Sequence, residues 1–147
     1  MCATTFEMVA PVSDLATLLR SLAPELHAGV YVYSSVAADG DLAALSPVVM
    51  VREREGVTVV VAEPEAARAG LAVLFRADWI TLTVSSDLQA IGLTAAVATA
   101  LGAAGIPCNV VAGAYHDHVF VPAGRGGEAV TALRGLQETA SSPAQGR

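Results

Sequence analysis

The chain has 147 residues, enough for one compact domain or for two very small ones sharing a core. Hydrophobic residues make up 54% and charged residues 15%, a balance that supports a buried core and argues against disorder. The net charge is −6 and all 8 basic residues are arginines, scattered from Arg20 to Arg147. A nucleic-acid footprint needs basic side chains clustered on one surface, so no nucleic-acid partner is expected.

The absence of lysine removes Schiff-base, pyridoxal-phosphate and phosphate-loop chemistry together. Cys2 and Cys108 are too few for a disulfide framework, and Cys108 reads as a small buried apolar residue. "MCATTFEMVAPVSD" has no apolar core of signal-peptide length, so a cytoplasmic location is expected. No residue from Leu88 to Tyr115 is charged. The helix within that run is bounded by Gly92 and Gly105-Ile106-Pro107, about fourteen residues or roughly 21 Å, too short for a ~30 Å bilayer core. No membrane partner is expected.

In chain order, Ser13 or Asp14 can cap a helix whose Leu15, Leu18, Leu19 and Leu22 form one apolar stripe, with Pro24 as its stop. "GVYVYSSV" (29–36) reads as a strand, and "DLAALSP" (41–47) allows one or two helical turns. A hairpin follows: "VVMV" (48–51), a charged tip at Arg52-Glu53-Arg54-Glu55-Gly56, and "VTVVVA" (57–62). "EPEAARAG" (63–70) is a short helix with Pro64 near its start, and "LAVLFR" (71–76) reads as a strand.

The second half runs in the same order. "WITLTV" (79–84) alternates as a strand should, and "SSDLQAIG" (85–92) is a loop rich in turn and cap residues. "LTAAVATALGAAG" (93–105) is a helix so apolar that covering on more than one side is expected. "CNVVAGAY" (108–115) and "HVFVPA" (118–123) read as strands, "GGEAVTALRGLQ" (126–137) as a helix, and 138–147 as a disordered tail.

Each half thus runs strand, helix, strand, turn, strand, helix. The pattern predicts an α+β fold of two ferredoxin-like βαββαβ units, each an antiparallel sheet with helices on one face. The expected division is a tail over 1–12, units over 13–76 and 77–137, and the tail from 138. Nothing after the last helix supplies a fourth strand to the second unit. The N-terminal helix or "TTFEMVA" (4–10) is the candidate for that vacant edge.

The loop Ser85–Gly92 leads into the N-terminus of a helix, where unsatisfied amides and the helix dipole favour an anion. Asn109, on the strand expected beside the loop, offers both donor and acceptor. The plainer reading is that Ser86 or Asp87 caps the helix and Gly92 solves a packing problem.

"DLATLLRSLAPELHAGVYVYSSV", "LSPVVMVREREGVTVVVAEPEAARAGL" and "WITLTVSSDLQAIGLTAAVATALGAAGIPCNVVAGAYHDHVFVP" together resemble small bacterial tandem ACT-domain proteins. The second half is similar to the ACT type of aspartokinase regulatory regions and of the cytosolic arginine sensor of animals. The resemblance implies a regulatory, amino-acid-binding protein without catalysis or cofactor, its ligand held at the first strand-to-helix loop between units. It places ligand-binding positions at Ser85, Ser86, Asp87, Ile91, Gly92 and Leu93, then Asn109 and Val110 on the adjacent strand, and Asp117 at the hairpin. The first half departs from the family: its helix after "YVYSSV" is short and its loop "AADGD" differs.

"AYHDHV" (114–119) places two of the three histidines around an aspartate. It reads as a hairpin tip with His116-Asp117 as the turn and His118 opening the return strand. Two alternatives to an amino-acid sensor stand beside it. One is a metal-dependent enzyme built on His116, Asp117 and His118, which needs a third protein ligand that the sequence does not offer well. The other is a purely oligomerising, partner-binding module. The apolar helix 93–105 and its neighbouring strands predict a homodimer.

Overall fold

The computed structural model describes residues 10–143 of the chain. Asp14 caps helix α1 (Leu15–Arg20), its carboxylate accepting the Thr17 amide at 2.9 Å, and Leu18 is buried without exposure. Pro24 does more than stop this helix. It opens a three-residue strand, β1 (Pro24–Leu26), followed by β2 (Tyr31–Val36). The one or two helical turns that 41–47 allows come down to a single turn, Leu45 bonding back to Leu42, before the hairpin β3 (Val49–Arg52) and β4 (Val57–Ala62). Gly56 packs against the Val36 carbonyl so closely that any Cβ there would lie 2.6 Å from it, which explains the glycine at the tip.

After α2 (Glu63–Arg68) comes a single long strand, β5 (Phe75–Leu82), where the sequence pattern suggested two. The expected break at Ala77-Asp78 does not occur. Ala77 is buried in the sheet, and the Asp78 carboxylate accepts the amides of Gly124 and Gly126 at 2.9 and 2.8 Å, so an acid sits in mid-strand with its charge engaged. The boundary expected after residue 76 therefore falls inside β5. Next follow α3 (Leu93–Ala103), β6 (Asn109–Ala112), β7 (Asp117–Pro122) and α4 (Gly126–Ser141). Helix α4 runs four residues into the segment expected to be a tail; residues 144–147 and the "TTFEMVA" stretch up to Val9 lie outside the described residues.

The strands form one antiparallel sheet in the order β3-β4-β2-β5-β7-β6. β1 and β2 lie end to end along one edge of β5: Pro24 and Leu26 pair with Leu82 and Ile80, and Tyr31 and Tyr33 pair with Ala77 and Phe75. Two ferredoxin-like sets of four strands result, and β5 belongs to both. It is the last strand of the first set and the first strand of the second. The vacant edge of the second set is filled by β1, which no periodicity announces because three residues cannot display one.

Cross-strand partners share a face, so the registers show where the core sits. Ile80, Leu82, Val119 and Val121 face α1, α3 and α4, and meet Leu18, Leu22, Val97, Leu101 and Leu133 in the main core. Val32, Val59 and Val61 lie on that same face under α2, with Ala66. All four helices thus cover one side. The other side carries Val60, Ala77 and Phe120, with Tyr31, Tyr33, Phe75 and Trp79 around them. Among the described residues no helix is long and apolar enough to cross a membrane.

Helix α3 buries Leu93, Val97 and Leu101 but leaves Thr94, Ala95, Ala98 and Thr99 exposed. The second layer expected over it is not supplied by the described residues. Small side chains make that exposure cheap.

Candidate functional site

β5 delivers the chain to the loop at 83–92, and β7 delivers Asp117 to the same place, because Leu82 and Asp117 are register partners. Asp117 lies on the helix-bearing face, 6% exposed, and Ser86 is 5% exposed beside it. The Ser86 hydroxyl donates to Asp117 Oδ2 at 2.8 Å. Ser86 therefore does not cap α3; it holds the acid of the opposite strand.

The loop backbone is tied on its outer side. The Val12 amide donates to the Ser85 carbonyl at 3.0 Å and the Asp87 amide donates to the Val12 carbonyl at 2.9 Å, a parallel bridge. Asp87 then turns the loop, its Oδ1 accepting the Gln89 amide and its carbonyl the Ala90 amide. Val12 falls in the stretch expected to be a tail; a single bridging residue leaves no pattern to read.

Gly92 precedes α3 with φ of +100°, and a Cβ there would lie 2.9 Å from Leu15 Cδ2. The glycine is needed both for its backbone and for the approach of α1. Because no side chain caps α3, the amides of Leu93, Thr94 and Ala95 find no acceptor among the described residues. Beside them is a hollow of about 60 Å³ lined by Ser86, Asp87, Leu93, Thr94, Ala112 and Asp117. That is far below the ~300–1,000 Å³ of enclosed ligand pockets, so it can seat the charged head of a small ligand rather than a whole molecule. Leu88 and Ile91 stand at this loop 68% and 87% exposed.

Of the positions expected to bind, Ser86, Asp87, Leu93 and Asp117 come together at the hollow, with Ser85 and Gly92 shaping the loop. Ile91 points outward. Asn109 and Val110 do not line the hollow. Asn109 opens β6 opposite Phe120 and lies three residues, about 10 Å, from Ala112; Val110 packs on the main core. Ala112 and Thr94 line the hollow without a sequence signal, one through strand register and the other as an ordinary first-turn residue.

"AYHDHV" is arranged differently from the expected turn. The Gly113 amide bonds to the His116 carbonyl at 2.9 Å, so Ala114-Tyr115 form the tip and Asp117 opens β7. Alternation then sends Asp117 to one face and His118 to the other. His118 Nδ1 accepts the Trp79 indole N–H at 3.1 Å and lies 3.1 Å from Thr81 Oγ1, which is 2.7 Å from His27 Nε2. Burial, with His116 and His27 nearby, pushes the His118 pKa down. The three side chains proposed for a metal enzyme do not converge, and among the described residues no group of three His, Cys, Asp or Glu could hold a metal ion. Cys108 is partly buried and burial pushes its thiol pKa up, away from reactivity.

Two ACT-domain family profiles match the chain in tandem, over residues 10–78 and 74–135. Among solved structures, a protein of unknown function from Vibrio cholerae, described as a possible transport protein, is 45% identical, with a TM-score of 0.75 over 84% of this chain and 95% of that one. A protein from Agrobacterium tumefaciens is 16% identical with a TM-score of 0.61, over 78% and 87% of the two chains. The regulatory subunit of aspartate kinase from Thermus flavus is 12% identical with a TM-score of 0.56, over 77% and 95%; at that identity the likeness concerns the fold alone. A search of curated proteins found no match.

Proposed function

Because the chain belongs to the ACT-domain family, as two units in tandem, we propose that it is a regulatory protein that binds a free amino acid at the start of α3 and performs no catalysis itself. ACT domains are regulatory, ligand-binding domains, and no catalytic family is indicated. The observation that carries the reading is the pairing of opposite preferences across one hollow. The unfilled amides of Leu93 and Thr94 favour an anion, and the buried Asp117 carboxylate lining the same hollow favours a cation. A zwitterion satisfies both: its carboxylate meets the helix start and its ammonium group meets Asp117, while the side chain projects past Leu88.

The first unit has no equivalent, since no helix follows β2 and the Ser46 amide is taken by Glu65 Oε1 at 2.6 Å. The hollow is too small to enclose a ligand, and exposed Leu88, Ile91 and Tyr115 are apolar groups that a second copy could cover. A homodimer that closes the site follows, with the two units of each chain meeting inside β5.

A thermal-shift screen of the twenty amino acids at millimolar concentration tests the reading, since a ligand bound only by the folded state raises Tm. At least one is expected to raise Tm in the wild type and not in Asp117→Asn. Absence of any shift overturns it. Light scattering that returns a monomer mass at micromolar concentration overturns the dimer.

A further inference from the structure

On the helix-free face, the chain's single tryptophan and two of its histidines form one bonded set. His27 follows β1, and its ring stacks on Trp79 with centroids 3.6 Å apart and planes 9° from parallel. The His27 amide also bonds to the Trp79 carbonyl at 2.9 Å. His27 thus ties the end of the short strand β1 to the middle of β5, and Thr81 links it to His118 on β7.

The hydrogen bonds of this set require one protonation state. An indole N–H only donates, so His118 Nδ1 must present a lone pair to Trp79 at 3.1 Å. A proton on Nδ1 would set donor against donor. Such a proton would point to Thr81 Oγ1, 3.1 Å away, and leave the indole without its acceptor. Gly113 lies beside the ring, and a Cβ there would come within 3.3 Å of His118 Nε2, so the glycine leaves the imidazole its place. Around His118 the titratable groups are His116 and Asp117 on its own side of the hairpin and His27 from the β1–β2 connection. β5 contributes Thr81 and Trp79, and β6 contributes Val111 as its register partner, none of them charged.

We propose that the His27–Thr81–His118–Trp79 set is an acid-sensitive latch: neutral His118 locks β1 onto the sheet through Trp79 and His27, and protonation of His118 releases the indole and loosens that edge. In the neutral form the indole N–H has its acceptor in His118 Nδ1. Protonated His118 leaves the Trp79 N–H without a partner and brings a cation beside His27 and His116. Burial, with His116 and His27 nearby, holds the His118 pKa below its ordinary value of 6.5, so the latch answers to acidification below that value.

The single indole makes the test site-specific. In a proton NMR titration of the intact protein from about pH 8 to about pH 5, the Trp79 N–H resonance is expected to shift and to exchange faster with solvent as His118 gains its proton. His118→Gln, whose amide oxygen can still accept from the indole, is expected to hold the resonance still through the same range. A resonance that stays fixed in the wild type overturns the proposal, as does one that moves identically in His118→Gln. Should that variant fail to fold, the wild-type titration decides alone.

Discussion

Ser86 and Asp117 are 31 residues apart in sequence and joined by a buried hydrogen bond of 2.8 Å, the hydroxyl donating to Oδ2. This bond fixes the loop before α3 to the first residue of β7. Removing one partner leaves the other buried without its bond. Ser86→Ala is expected to destabilise the fold by about 1–3 kcal/mol, measured by urea denaturation. The double variant Ser86→Ala/Asp117→Val is expected to lose less than the sum of the single changes, while losing any ligand response.

Gly92 carries two constraints at once: a backbone at φ of +100° and the Leu15 side chain where a Cβ would go. Gly92→Ala is expected to cost about 1–3 kcal/mol from the backbone alone. Adding Leu15→Ala relieves only the collision, so a double-mutant cycle in chemical denaturation separates the two. A cycle that shows no coupling would mean that α1 simply shifts aside.

Asp78 holds the turn before α4 by accepting both the Gly124 and Gly126 amides. Hydrogen bonds to a charged acceptor contribute about 1.5–3 kcal/mol each, so Asp78→Ala is expected to lower stability by at least about 2 kcal/mol, read by the denaturation midpoint. A larger residue at Gly126 would push on the same carboxylate, since a Cβ would sit 2.8 Å from Asp78 Oδ2 and 2.9 Å from its Cβ, with Leu26 Cδ1 at 2.6 Å.

The His118 pKa is lowered in the folded protein from its ordinary value of 6.5, first by burial and then by His116 and His27. The unfolded chain therefore binds the proton more readily than the folded one. The contribution of His118 is fully present above pH 6.5 and is lost as pH falls from there through the lowered folded value. Tm of the wild type is expected to fall over that window more steeply than Tm of His118→Gln. Equal slopes would show that His118 contributes nothing to acid sensitivity.

Local patterns located most elements because they depend on neighbours in sequence. The stripe of Leu15, Leu18 and Leu22, the hairpin around Gly56 and the uncharged helix from Leu93 all announce themselves by spacing. The two departures within the sheet have a common cause. β1 is too short to show alternation, and β5 looked interrupted because Ala77 and Asp78 are poor strand formers. Their places are set by partners far along the chain: Leu82 and Ile80 for β1, and the Gly124 and Gly126 amides for Asp78. The candidate site was legible in part for the same reason. Ser86, Gly92 and Leu93 stand at a strand-to-helix loop, whereas the place of Asn109 depends on strand register.

By itself the sequence settled the α+β character, the two-fold repetition of strands and helices, the ACT resemblance and the loop where unsatisfied amides would gather. The resemblance rests on the matching stretches of sequence; the others rest on composition, periodicity and cap chemistry, which act over a few residues. Only the tertiary structure decided that one strand serves both halves, that β1 closes the second set, that Asp117 and His118 face opposite sides, and that Val12 straps the loop. Those outcomes follow from pairing between distant segments, and a register is fixed by which side chains must reach a common core rather than by any stretch of sequence alone.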